Sequence, residues 1–191
     1  MSAVDLRGEM ETATRAVRQG HLDRLRALGV SSSTIAEMGR DAAPFGVVAA
    51  EPTGGGIYQP GEGEAHIVLP VTEEGALVDL CAFQSTAPDD WLLRTGSGWA
   101  LGLSKGLSSY VKVDHLHWEN HAHLFSSPLD WLRGGGAGIC VLDWSAPEVR
   151  CLDALASVTV SDAATAALLT NALSRPVRLP KIELMGVAHA A

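Results

Sequence analysis

The sequence predicts an α/β protein, α+β over its whole length. It divides into a small N-terminal helical module (residues 1–40), a central antiparallel β region (41–120) and a C-terminal alternating strand/helix unit (121–191). The three parts together make one compact structural unit. Three observations lead to that class. The last third alternates apolar runs of strand length with helical segments. In the middle, HIVLPV and ALVDLCAF flank a polar TEEG, which is a hairpin signature. The first forty residues carry short apolar stripes at helical spacing.

Leu6, Met10, Ala13 and Val17 predict a helix over 3–19, ended by Gly20. Leu22, Leu25 and Leu28 make a second helical stripe, terminated by Gly29. Ser31 or Ser32 caps a third helix, which Gly39 stops. None of these helices is long enough to be stable alone, so each must pack on the strands beyond residue 40. Residues 47–50 form a strand and EPTGGG a flexible loop. The hairpin turns at Gly75, and Pro70 marks an edge or a bulge in its first strand. WLLRTG, WALGLSKGL and YVKVDHLHW complete this part.

Beyond it, AHLF is a short strand and SSPLDWLRGG a helix, with Ser126 or Ser127 as cap and Pro128 in the first turn. GICVLDW has the continuous apolar character of a buried parallel strand. A helix from Pro147, the strand SVTVSD and the helix AATAALLTNAL come next, and VRLPKIELM adds a final strand. Strand–helix alternation of this kind favours parallel strands with right-handed crossovers.

Composition narrows the function classes. In 191 residues the apolar fraction is 47% and the charged fraction 19%, which describes a globular chain with a sizeable interior. No apolar run has the roughly 18–20 residues that span a bilayer, and the N-terminus lacks the apolar core of a secretory signal. Cys81, Cys140 and Cys151 form no CxxC pair, which fits buried free thiols in a reducing, cytoplasmic compartment.

Charge is unevenly placed. Residues 1–40 balance six arginines against five acids, whereas residues 41–93 contain nine acids and no lysine or arginine. That middle stretch would repel a phosphate backbone. A protein partner is therefore favoured over nucleic acid, with weak nucleic-acid contact assigned to Arg15, Arg18, Arg24 and Arg26. Those arginines also read as a solvated helix face balanced by acids.

Two constellations carry possible chemistry. HLHWENHAH places His115, His117, His121 and His123 close together. On a strand His115 and His117 share a face, and His121 with His123 makes a second pair across a turn. Two such pairs facing one another suit Zn²⁺ or another transition metal, which gives a metal-dependent enzyme as the alternative function. Histidines supplying the polar face of an exposed strand explain the pattern without a metal. The second constellation is Asp143 and Asp162, at the carboxyl ends of two apolar strands, where open α/β sheets bind ligands. They suit Mg²⁺, although Asp162 also suits the cap of the helix that begins next to it. No phosphate-cradling glycine loop is present. Ser97 in TGSGW lacks the spacing of a nucleophile elbow, and no cysteine has a base placed to activate it.

The order of elements resembles the Toprim-containing primases of bacteria, phages and plasmids, over about residues 20–175. LRALGVSSSTIAEMG is similar to the helical entry of that region, and HIVLPVTEEGALVDLCAF to its hairpin. In that family a glutamate and glycine, with an aspartate a turn later, and a second motif of two aspartates one residue apart hold Mg²⁺ for phosphoryl transfer. Here the first motif reads Ser126, Ser127, Pro128, Leu129, Asp130, and the second Asp162, Ala163, Ala164. The family's zinc-binding cysteines are missing as well. Mg²⁺ needs several oxygen ligands, so the resemblance implies a degenerate member that has lost its chemistry and needs no cofactor.

The expectation is therefore a non-catalytic, primase-like binding or regulatory module linked to replication of mobile DNA. Exposed Trp91, Trp99 and Trp118 are its candidate contacts, with core packing as the competing account of these side chains. A nucleotidyl transferase retaining activity would have to work through Asp130, Asp143 and Asp162.

Overall fold

Asp5 opens the first helix by accepting the Gly8 N–H on its side chain at 3.0 Å, and α1 runs Leu6–Arg15. The computed structural model describes residues 4–39, 44–104, 111–114 and 117–176, with backbone alone for 111–114 and 117–120. The predicted final strand and His115 lie outside these residues. Helix α1 is shorter than its apolar stripe implies. Arg18 is extended and its N–H donates to His21 Nδ1 at 3.0 Å, so a new helix, α2 (Gln19–Ala27), begins before Gly20. Gly20 therefore sits inside a first turn and terminates nothing. Ser31 is the cap of α3 (Ser32–Met38), accepting the Thr34 N–H at 3.0 Å.

The next five strands close into a barrel: β1 (Gly46–Gly54), β2 (Ile57–Pro60), β3 (Glu64–Glu73), β4 (Ala76–Gln84) and β5 (Ala87–Leu93), in the order β1-β2-β5-β4-β3. Closure removes the free sheet edges that a hairpin meander would leave. The predicted hairpin is β3–β4, and Glu74 (φ 48°) with Gly75 (φ 84°) forms its turn. Two positive φ values in a two-residue loop match the right-handed twist of the flanking strands. EPTGGG is not a loop. Its first four residues continue β1, paired to β2 from Ala50↔Pro60 to Gly54↔Ile57, and only Gly55 and Gly56 turn. Pro70 lies beyond Val68, where the β1–β3 ladder ends, and next to a register shift at Val71/Thr72. The bulge reading of Pro70 fits that position.

The second sheet holds β6 (Ala100–Leu101), β8 (His117–Phe125), β9 (Ile139–Val141) and β10 (Ser157–Val160) in the order β10-β8-β9-β6, with β7 (Val111–Asp114) paired to β8. Strand β8 runs parallel to both β9 and β10, while β6 is antiparallel to β9. Helix α4 (Pro128–Arg133) links β8 to β9, and α5 (Ala163–Leu173) comes after β10. Between β9 and β10 the predicted helix is a 3₁₀ segment, Pro147–Ala154. Its buried residues, Val149 and Leu152, lie three apart. A period of three stacks them on one face, so the tighter helix suits this short sequence.

The chain is thus α+β, with an N-terminal helical part and a central closed five-stranded sheet. One core cluster unites Leu25 of α2, Leu69 and Phe83 of the barrel, and Leu129, Trp131 and Cys140 of the second sheet and α4. A second cluster lies between the sheet and its own helices, with Leu124, Ile139, Val149 and Ala172.

A candidate binding cleft at the strand ends

Because β8, β9 and β10 are parallel, their carboxyl ends share one side of the sheet. Asp130, Asp143 and Asp162 come after those three ends in turn. This is the side on which open α/β sheets bind ligands. Each carboxylate, however, is held by its own neighbours.

Ser127 caps α4, accepting the Asp130 N–H at 3.2 Å. Asp130 accepts in return from Ser126 Oγ at 2.9 Å and Ser127 Oγ at 3.0 Å, and pairs with Arg133 Nη1 at 2.8 Å. Partial burial raises its pKa, but the bonds from Arg133, Ser126 and Ser127 outweigh that and hold it below the usual carboxylate range. Asp162 caps α5. It accepts the Thr165 N–H and Thr165 Oγ1, each at 2.8 Å, and its pKa is likewise lowered, chiefly by the Thr165 backbone bond. Asp143 closes a turn, taking both Ser145 N–H (2.8 Å) and Ser145 Oγ (2.6 Å) on Oδ1. Among the described residues no three histidine, cysteine or acidic side chains are grouped to hold a metal ion.

The histidine segment is arranged differently from its sequence reading. His117 and His121 lie on one uninterrupted strand, β8, so no turn separates them. His121 and His123 are exposed, with rings edge to face and centroids 5.2 Å apart. His121 meets Ser157 Oγ at 2.8 Å through Nδ1 and Thr159 Oγ1 at 3.2 Å through Nε2. Both ring nitrogens are therefore engaged by β10 hydroxyls, and ligation would cost His121 one of these bonds.

Where the barrel meets the sheet there is a cleft of about 420 Å³. Gly55 and Gly56 of the β1–β2 turn, Trp91 of β5 and Gly96 form its barrel side. Asp143 and Ser145, just past the end of β9, form the other. The Trp91 indole N–H donates to the Leu142 carbonyl at 3.1 Å, which fixes the ring across the junction. The cleft thus brings one strand-end carboxylate, Asp143, against barrel residues some fifty positions earlier.

Compared with known families, characterised proteins and solved structures, the chain has no match.

Trp99 is buried, 5% exposed, and serves the core instead of a partner. The Trp118 side chain lies outside the described part of the structure. Cys81 and Cys140 are buried, and burial pushes both thiols up, but Cys151 is exposed. Arg15, Arg18, Arg24 and Arg26 are all exposed. Arg15 lies 3.4 Å from Glu11 and Arg26 lies 3.2 Å from Asp23. Arg24 reaches Ser85 Oγ at 3.2 Å. No described helix is long and apolar enough to cross a membrane.

Asp79 escaped the sequence reading. It is fully buried in β4 and accepts backbone N–H bonds on both oxygens: from Leu80 (2.8 Å), Arg94 (3.1 Å) and Thr95 (2.9 Å) on Oδ1, and from Ser97 (2.8 Å) and Gly98 (3.0 Å) on Oδ2. The TGSG glycines serve this wrapping. A Cβ on Gly98 would stand 2.8 Å from Asp79 Cβ and 2.8 Å from Val71 Cγ1. An aspartate inside the apolar run LVDLCAF was the available signal, since a buried carboxylate must find donors. Next to it, Arg94 forms a two-point ion pair with Glu9 of α1, at 2.7 and 2.9 Å. The Glu9 bond raises the Arg94 pKa and ties the first helix to the end of β5.

Proposed function

We propose that this chain is a non-catalytic, Toprim-like relative of mobile-element primases, acting as a binding or regulatory module for a protein partner. The observation that carries the reading is the state of the strand-end acids. Asp130 and Asp162 stand where the resemblance puts catalytic carboxylates, yet both spend their oxygens on neighbouring hydroxyls, N–H groups and Arg133. A Mg²⁺ ion needs several free oxygen ligands. The positions where the resemblance expects the other carboxylates hold Ser126 and Ala164. Loss of ligands and capture of the survivors support a scaffold that binds without reacting.

The partner is a protein on grounds of charge. The described barrel residues include no lysine or arginine, and Arg15, Arg18, Arg24 and Arg26 are paired or hydrogen-bonded nearby. The test is a template-dependent primer-synthesis assay with Mg²⁺ and nucleotides, on the purified chain and on Asp162→Asn. No product from either is expected. Product that disappears in Asp162→Asn overturns the reading in favour of a transferase.

A further inference from the structure

We infer that the cleft beside Asp143 receives an arginine side chain presented by the partner. This deepens the proposed function and rests on its reading of the chain as a partner-binding module. Three features of the cleft argue for a cation. Asp143 is the one charged residue among the described residues that line it. Ser145 holds the carboxylate in place by two bonds to Oδ1, so the charge is positioned before any ligand arrives. The Trp91 ring is anchored through its N–H to Leu142, which leaves its carbon surface to line the cavity. A carboxylate beside an immobilised indole is the pairing that a guanidinium meets best, through a charge-assisted hydrogen bond and attraction to the ring face.

The surroundings have the same sign. Asp89 and Asp90 are exposed on β5 immediately before Trp91. An anion would meet the Asp143 carboxylate here and no basic side chain among the described lining residues. The volume of about 420 Å³ falls within the ~300–1,000 Å³ typical of ligand sites, enough for a side chain with part of its backbone. Gly55, Gly56 and Gly96 put no side chains at the rim, so a peptide backbone can come close.

The experiment monitors the Trp91 indole N–H resonance, assigned by its loss in Trp91→Phe. The 191-residue chain is titrated with acetyl-Gly-Gly-Arg-Gly-Gly-amide, without Mg²⁺ or nucleotide. A saturable shift is expected. Replacing arginine by citrulline, which keeps the shape and removes the charge, should weaken binding about tenfold, and Asp143→Asn should do the same. Equal binding of the citrulline peptide, unchanged binding by Asp143→Asn, or no saturable shift with the arginine peptide would each overturn the assignment. These outcomes leave the primer-synthesis result untouched, so failure of the cleft and failure of the non-catalytic reading are separately visible.

Discussion

Asp79 shows how one residue fixes a junction. Its carboxylate gathers the N–H groups of the strand it belongs to and of the loop leaving β5, and that loop leads directly into β6 of the second sheet. Removing it leaves several buried donors without partners, each costing roughly 1–3 kcal/mol. Asp79→Ala is expected to lower stability by at least about 3 kcal/mol in urea unfolding. Asp79→Asn should fall between, because an amide nitrogen cannot accept the N–H groups that face Oδ1 or Oδ2. At this scale the sequence was only partly informative. An aspartate in an apolar strand announces a need for donors, but the donors lie fifteen to nineteen residues away, where no local pattern connects them.

At the scale of elements, caps were the most legible features. Ser31, Ser127 and Asp162 each accept the N–H three residues on, as the residue types predicted. Asp130 and Asp162 have lowered pKa values, which sets the direction of their pH dependence. A depressed folded-state pKa contributes stability above the unfolded value of about 3.9, and that contribution is lost as pH falls through the folded value. Melting temperature should therefore drop as pH is lowered from about 4 towards 2, and Asp130→Asn/Asp162→Asn should flatten that dependence. An unchanged slope in the double variant would show that these two carboxylates do not govern acid stability. Helix boundaries were less legible. The apolar stripe of α1 passes smoothly through Val17, yet α1 ends at Arg15 and the extended backbone at Arg18 opens a second helix.

For the whole molecule, the decisive feature is the shared core. Leu69 and Phe83 of the barrel pack in the same cluster as Leu129 and Cys140 beyond it, and the Glu9–Arg94 pair binds the first helix to the last barrel strand. The three sequence regions should then melt together. A single calorimetric transition is expected, with calorimetric and van't Hoff enthalpies agreeing. Two resolved transitions would mean that barrel and sheet are energetically independent.

What the sequence determined by itself is the kind and order of the local elements: helices first, the β3–β4 hairpin turning at Gly75, then strands alternating with helices. Those arise from short-range causes, which are residue periodicity, turn chemistry and capping. Only the tertiary structure decided that five strands close into a barrel, that β6 joins β9, and that His117 and His121 share one strand. It also decided which acid faces a cavity. Asp130, Asp143 and Asp162 each follow the carboxyl end of a parallel strand, yet of the three Asp143 alone lines the cleft with Trp91. The reason is physical: closure and juxtaposition are set by pairing and packing between distant segments, and a linear pattern does not record them.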